Sequence, residues 1–216
     1  MRYLSDYELL NQYSGVPLGI DTLLAAFGSY AYPHDKVSQL VQQGLLVRLR
    51  RGLYVVAPQS QLNLPATSSL IIANSLYGPS YVSLETALSL HGLIPEHVYS
   101  VRSMTFNRGR DISTSLGRFE YVRCPRAYYA LGITMREEER GSALIARPEK
   151  AIADAVVSAK DIRLQSTGAV RTFLEEDMRI DMDELAGLNG ELFNQIASRG
   201  YKKRVLELLA EVVEHA

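Results

Sequence analysis

Arg48, Arg50 and Arg51 stand just before Gly52, a short distance after Ser38, Gln39 and Gln42. Glutamine presents a donor and an acceptor side by side and can pair with adenine through two hydrogen bonds. A guanidinium carries a permanent charge in a fork that fits phosphate oxygens. Lys36 adds an ammonium at the start of the same stretch, suited to the DNA backbone. Amides for base edges and cations for phosphates make this set suited to double-stranded DNA. The same three arginines also fit the solvated tip of a hairpin on any small domain.

The elements that must position these groups are legible nearby. Val37, Leu40 and Val41 fall at helical spacing, which predicts a helix over 33–43 with Ser38, Gln39, Gln42 and Gln43 turned away from its apolar face. Pro33 fits the first helical turn, and Gly44 fits just past the last. Leu45 to Leu49 and Leu53 to Val56 read as two strands, with Arg50, Arg51 and Gly52 as the turn. Upstream, Tyr3 to Tyr13 is amphipathic, with Ser5 and Asp6 as capping residues, and Ile20 to Phe27 supplies another short helix. Helix, helix, turn, helix, hairpin is the order of a winged helix-turn-helix, here expected over residues 1–58.

Ala57 to Thr67 is polar with two prolines and reads as a linker to a second unit over 66–216. In that unit the pattern predicts a helix over Ser68 to Leu76, a short extended entry followed by a helix (SLETALSLHG) over Tyr81 to Leu90, and a helix from Pro148 through Val157. Ser83 and Thr86 form an imperfect capping box, with Glu85 in the first turn. Strands are expected over Val98 to Phe106, Phe119 to Arg123, Ala127 to Ile133 and Gly141 to Ala146. Helices over Thr167 to Phe173 and Leu192 to Val213 flank an acidic segment. The expected fold class is α+β: an N-terminal winged helix, then a mixed domain with a helical C-terminal tail.

Three segments carry a resemblance. LVRLRRGLYVV, SYVSLETALSLHGLIPE and ARPEKAIADAV resemble, in the same order, the GLL-x-R-x-x-RG-x-Y, strand-helix and P-E-K-A-x-x-D elements of AbiEi-type antitoxins of type IV toxin–antitoxin systems. The resemblance covers roughly residues 20–160 and fades after Val157. It implies a transcriptional autorepressor that binds operator repeats through its winged helix. It also implies a C-terminal domain tied to neutralising a nucleotidyltransferase-like toxin.

Composition bounds the alternatives. A single cysteine, Cys124, excludes an internal disulfide framework, and MRYLSDYELL has acids where a leader needs an apolar run, so a cytoplasmic location is expected. Apolar runs are too short to cross a bilayer, so no membrane association is expected. Residues 1–60 hold five Lys/Arg against four Asp/Glu, so affinity for DNA must come from a local patch, and a homodimer or paired monomers on DNA would strengthen it. No metal or cofactor is expected: His34, His91, His97 and His215 lack ligand spacing, and no glycine-rich phosphate loop is present. Glu149, Lys150 and Asp154 are the best enzyme candidates. Glu149 is accounted for by a helix start and Lys150 with Asp154 by an ordinary i,i+4 pair, so the chain is read as a non-enzyme. Arg108, Arg110, Arg118, Arg123 and Arg126 run through the middle among aromatics. They fit a second nucleic-acid surface or a solvated, protein-binding sheet face, and the interrupting glutamates favour the latter. A winged helix used only for protein contact is the alternative function.

Overall fold

The computed structural model describes residues 5–58, 65–96, 98–160, 162–199 and 201–216. Tyr3, Leu4, His97 and most of the expected linker lie outside these. The chain is mixed α+β with a helical C-terminal region.

Its first part holds α1 (Asp6–Tyr13), β1 (Leu18–Gly19), α2 (Ile20–Ala26), α3 (Pro33–Gln42), β2 (Leu46–Arg50) and β3 (Leu53–Val56). Of the two expected capping residues, Ser5 is the N-cap of α1, in a reciprocal capping box with Glu8, and Asp6 lies in the first turn. Gly44, at φ +70°, ends α3 in a conformation that side chains disfavour. The strands form one antiparallel sheet in the order β1-β3-β2, and the turn at its tip is Arg51-Gly52, with Arg50 still inside the strand.

This hairpin has two buried faces. Leu18, Leu46 and Val56 join Leu10, Leu23, Phe27, Val37 and Leu40 in a small core under the helices. Leu49, Leu53 and Val55 belong instead to the large core of the following unit. The pleat turns successive residues to opposite faces, and a register shift between Arg48 and Arg50 sets Arg48 opposite Tyr54 and Arg50 opposite Leu53, both exposed, while Leu49 is buried.

The large core is built on a six-stranded mixed sheet, order β6-β7-β5-β4-β9-β8. Its strands are β4 (Ser80–Val82), β5 (Ser100–Thr105), β6 (Arg110–Thr114), β7 (Gly117–Arg123), β8 (Ile133–Glu138) and β9 (Gly141–Ala146). Helix α4 (Ser69–Leu76) covers one face, where the buried Tyr121 donates its hydroxyl to the Ala73 carbonyl at 2.7 Å. Helices α5 (Leu84–Leu90) and α7 (Pro148–Ser158) cover the other, on the same side as Tyr81. α6 (Arg126–Tyr129) replaces the first part of the strand expected over Ala127 to Ile133, because Pro125 starts a helical turn and Tyr128 must reach the core. The tail has α8 (Thr167–Thr172), α9 (Met182–Ala186), α10 (Gly190–Ala197) and α11 (Lys203–Glu214), with a π-helical turn over Phe173–Asp177. The single helix expected over Leu192 to Val213 is thus two, divided by a reversal that sets Lys202 at φ +44°.

The main departure from expectation lies in α7. Lys150 and Asp154 do pair, 3.1 Å apart, but both are fully buried. Asp154 Oδ2 accepts from Ser83 Oγ at 2.6 Å and from the Tyr81 hydroxyl at 3.0 Å. Lys150 Nζ donates to the Tyr128 carbonyl at 3.1 Å and sits 3.0 Å from the centre of the Tyr128 ring. Glu149 accepts from the Asn189 amide at 3.0 Å, joining α7 to the start of α10. Ser83 therefore serves Asp154 and makes no capping bond to α5. Removing one partner of a buried pair leaves a stranded charge and costs about 3–5 kcal/mol. Lys150→Ala and Asp154→Ala should each lower the urea midpoint by that equivalent; a loss below about 1 kcal/mol would show the pair to be dispensable.

Burial also sets a response to alkali. It pushes the Cys124 thiol from 9.0 up to about 12, with the Asp154 carboxylate adding to the shift. Between those values the unfolded chain sheds a proton that the folded chain retains, so stability falls as pH rises, by about 1.4 kcal/mol per pH unit per group. Tyr121 and Tyr129, raised by burial, act in the same direction. Lys150, lowered by burial, opposes them as pH climbs towards 10.5. Unfolding followed from pH 9 to 12 should show a net loss, and Cys124→Ala should flatten its slope by about one proton; an unchanged slope excludes the thiol as its source.

Candidate nucleic-acid interface

Helix α3 separates its faces cleanly. Val37 and Leu40 are buried, while Asp35, Ser38, Gln39 and Gln42 are exposed along the opposite side. The Ser38 hydroxyl donates back to the His34 carbonyl at 3.0 Å, which occupies its proton and leaves its lone pairs outward. Gln39 lines a shallow cleft of about 420 Å³ with Tyr30, Tyr32, Asp35 and Lys36, and Tyr32 is 74% exposed there. The amide groups expected to face a partner therefore lie on one exposed helix face.

Lys36 has a partner that its position on α3 does not suggest. Its ammonium is largely covered, ion-paired with Asp6 of α1 and 4.8 Å from the Tyr30 ring centre. The Tyr30 hydroxyl donates to the same carboxylate at 2.6 Å. Burial works to raise the Asp6 carboxyl, but the bonds from Lys36 and Tyr30 outweigh it and hold the group below its ordinary value. Lys36 thus ties α1 to α3, and a sequence pattern on α3 alone gives no sign of that distant partner.

On the hairpin, Arg48 lies opposite Tyr54, on the face shared with the small helical core. Arg51 is at the turn, and Arg50 opens into a cleft of about 560 Å³ shared with Tyr77 and Arg110 of the following unit. Among the described residues Arg48, Arg50 and Arg51 make no ion pair, so three exposed guanidinium groups crowd one hairpin end.

The arginine run of the middle divides between the two faces of the sheet. Arg118 pairs with Asp111 and Glu120, each at 3.1 Å, and Arg102 pairs with Glu85 and Glu120 on that same face. Arg110 is on the other face, 5.2 Å from the Tyr77 ring centre, and Arg126 packs 4.2 Å from that of Phe106. Strand β6, which carries Arg110, has no counterpart among the expected strands; its short alternation RDIST lacks the apolar weight that marks a strand.

The buried Ser83–Asp154–Lys150 network offers no reacting surface, since all three side chains are sealed from solvent. No group of three metal-ligating side chains occurs among the described residues. No helix among them is long and apolar enough to cross a membrane. Neither the protein-family models nor the curated proteins yield a match to the chain.

The Lys36–Asp6 pair should matter for the packing of α1. Lys36→Ala is expected to cost about 0.5–1 kcal/mol, the upper range for a partly exposed pair. Hydrogen exchange should report it as faster exchange confined to residues 6–13; uniform exchange throughout the chain would argue against a local tie.

Proposed function

We propose that this protein is a winged-helix DNA-binding repressor of the AbiEi antitoxin type, acting on the operator of its own toxin–antitoxin operon. One observation carries the reading: an exposed amide face on α3 lies next in sequence to a hairpin whose three arginines have no carboxylate partner among the described residues. Exposed cations without local partners are free to replace the counterions around phosphate. In this reading α3 enters the major groove with Ser38, Gln39 and Gln42 nearest the bases, and Arg48, Arg50 and Arg51 grip the backbone. The α1–α2–α3 arrangement over a three-stranded sheet supports the winged-helix assignment. Lys36 contributes by holding α3 on α1, not by contacting phosphate. Asp35 sits beside Gln39 and opposes phosphate locally, which favours a binding mode led by the hairpin. The toxin-neutralising role of the remaining domain, against a nucleotidyltransferase-like partner, rests on the sequence resemblance.

A second reading, a winged helix that binds protein instead of DNA, draws on the exposed Tyr32 and the nearly neutral N-terminal part. Fluorescence anisotropy with the DNA upstream of the chain's own reading frame separates the two. Arg51→Ala should weaken binding to every sequence and reduce the salt slope by about one. Gln42→Ala should mainly reduce the preference for operator over random DNA, by about 1–3 kcal/mol if both amide bonds are made. Absence of any binding by the wild type at low salt refutes the DNA reading and leaves the protein-contact one.

A further inference from the structure

We propose that the DNA-binding surface does not end at the hairpin but continues onto the edge of the six-stranded sheet, where Arg110 and Arg108 hold the phosphodiester backbone of the same duplex. The inference rests on the DNA-binding reading above and extends its footprint to a second unit of the chain.

Arg50 and Arg110 line one cleft, although sixty positions separate them in sequence. Their nearness is built in, because Leu49, Leu53 and Val55 anchor the hairpin in the core that also holds α4 and the sheet. Arg110 is exposed at the first position of edge strand β6. Its guanidinium lies over Tyr77, whose ring meets Tyr121 edge-to-face at 5.1 Å, so the charge rests on a packed aromatic base. Tyr77 also donates its hydroxyl to the Arg108 carbonyl at 3.0 Å, and Asn107 donates to the Gly78 carbonyl at 3.1 Å. Two bonds thus hold the loop carrying Arg108 against the turn after α4.

Charge distribution selects the occupant. Neither Arg108 nor Arg110 makes an ion pair among the described residues, and both are exposed. The acid in the cleft, Asp111, is turned to Arg118 at 3.1 Å, as expected for the neighbouring position on a pleated strand. The carboxylates of the strands beside the cleft, Asp111 and Glu120, pair with Arg102 and Arg118 on the opposite face, so neither neutralises Arg110. Cations beside the hairpin arginines in space, on a fixed base, suit a continuous polyanion.

The intact chain can test this on two duplexes: the shortest upstream segment protected by the variant Arg108→Gln with Arg110→Gln, and the same segment lengthened at each end by about ten base pairs, one helical turn. The wild type should bind the longer duplex more tightly. Arg108→Gln with Arg110→Gln should abolish that gain and lower the salt slope by about two. Raising salt from about 50 to about 200 mM then costs the wild type about tenfold more affinity than it costs the variant. Arg108→Lys with Arg110→Lys should restore most of the slope, which a folding defect would not allow. Arg118→Gln, on the other face, should behave as wild type. Equal slopes and equal length dependence for wild type and the glutamine pair overturn this inference while leaving hairpin binding intact. Failure of the wild type to bind either duplex overturns both.

Discussion

The β2–β3 hairpin is the constraint on which the arrangement of this protein depends. A two-stranded ribbon alone is marginal in water, and it gains stability when both faces are covered. Here Leu46 and Val56 face the helical core, while Leu49, Leu53 and Val55 face the core of the larger unit. Neither face can be released without exposing several branched side chains at about 1.5–3 kcal/mol each. The hairpin therefore belongs to both halves, and its arginines keep a fixed bearing towards α3 on one side and towards β6 on the other. A flexible tether would leave those cations to move independently; a shared hairpin presents them as one surface.

The second organising feature is the buried polar cluster beneath the sheet. Asp154 collects Ser83, Tyr81 and Lys150, and Lys150 reaches the carbonyl and ring of Tyr128. These contacts join β4, the start of α5, α6 and α7 at one point. The close approach is tight enough that a Cβ at Gly132 would come within 2.7 Å of Lys150 Cβ, and Gly132 adopts φ +71°. A network of this kind is costly when incomplete, so it rewards the one packing that satisfies it. Its role is to fix how α5, α6 and α7 sit on the sheet.

Much of this was legible in the chain. Periodicity located α3 and its polar face, glycine and proline marked its ends, and the branched residues on either side of Gly52 marked the hairpin. Helices α4, α5 and α7 and strands β5, β7 and β9 follow from the same local rules, to within a few residues. The strand expected over Ala127 to Ile133 was misread because aromatic residues favour strands locally, whereas burial of Tyr128 over Lys150 is a tertiary requirement. The burial of Lys150 and Asp154 did have a signal: Ala151, Ile152, Ala153, Ala155, Val156 and Val157 leave α7 with no polar face, so its charges must lie inside.

By itself, the sequence determined which short segments curl or extend, which face of α3 is polar, and that cations cluster at one hairpin tip. These are local properties, set by side-chain spacing and backbone preference within a turn or two. Only the tertiary structure decided which cations have partners. It gave Lys36 to Asp6, sealed the locally paired Lys150 and Asp154 inside the core, and left Arg50 beside Arg110. Neighbours thirty and sixty positions apart in sequence meet only once the two cores have closed around the hairpin.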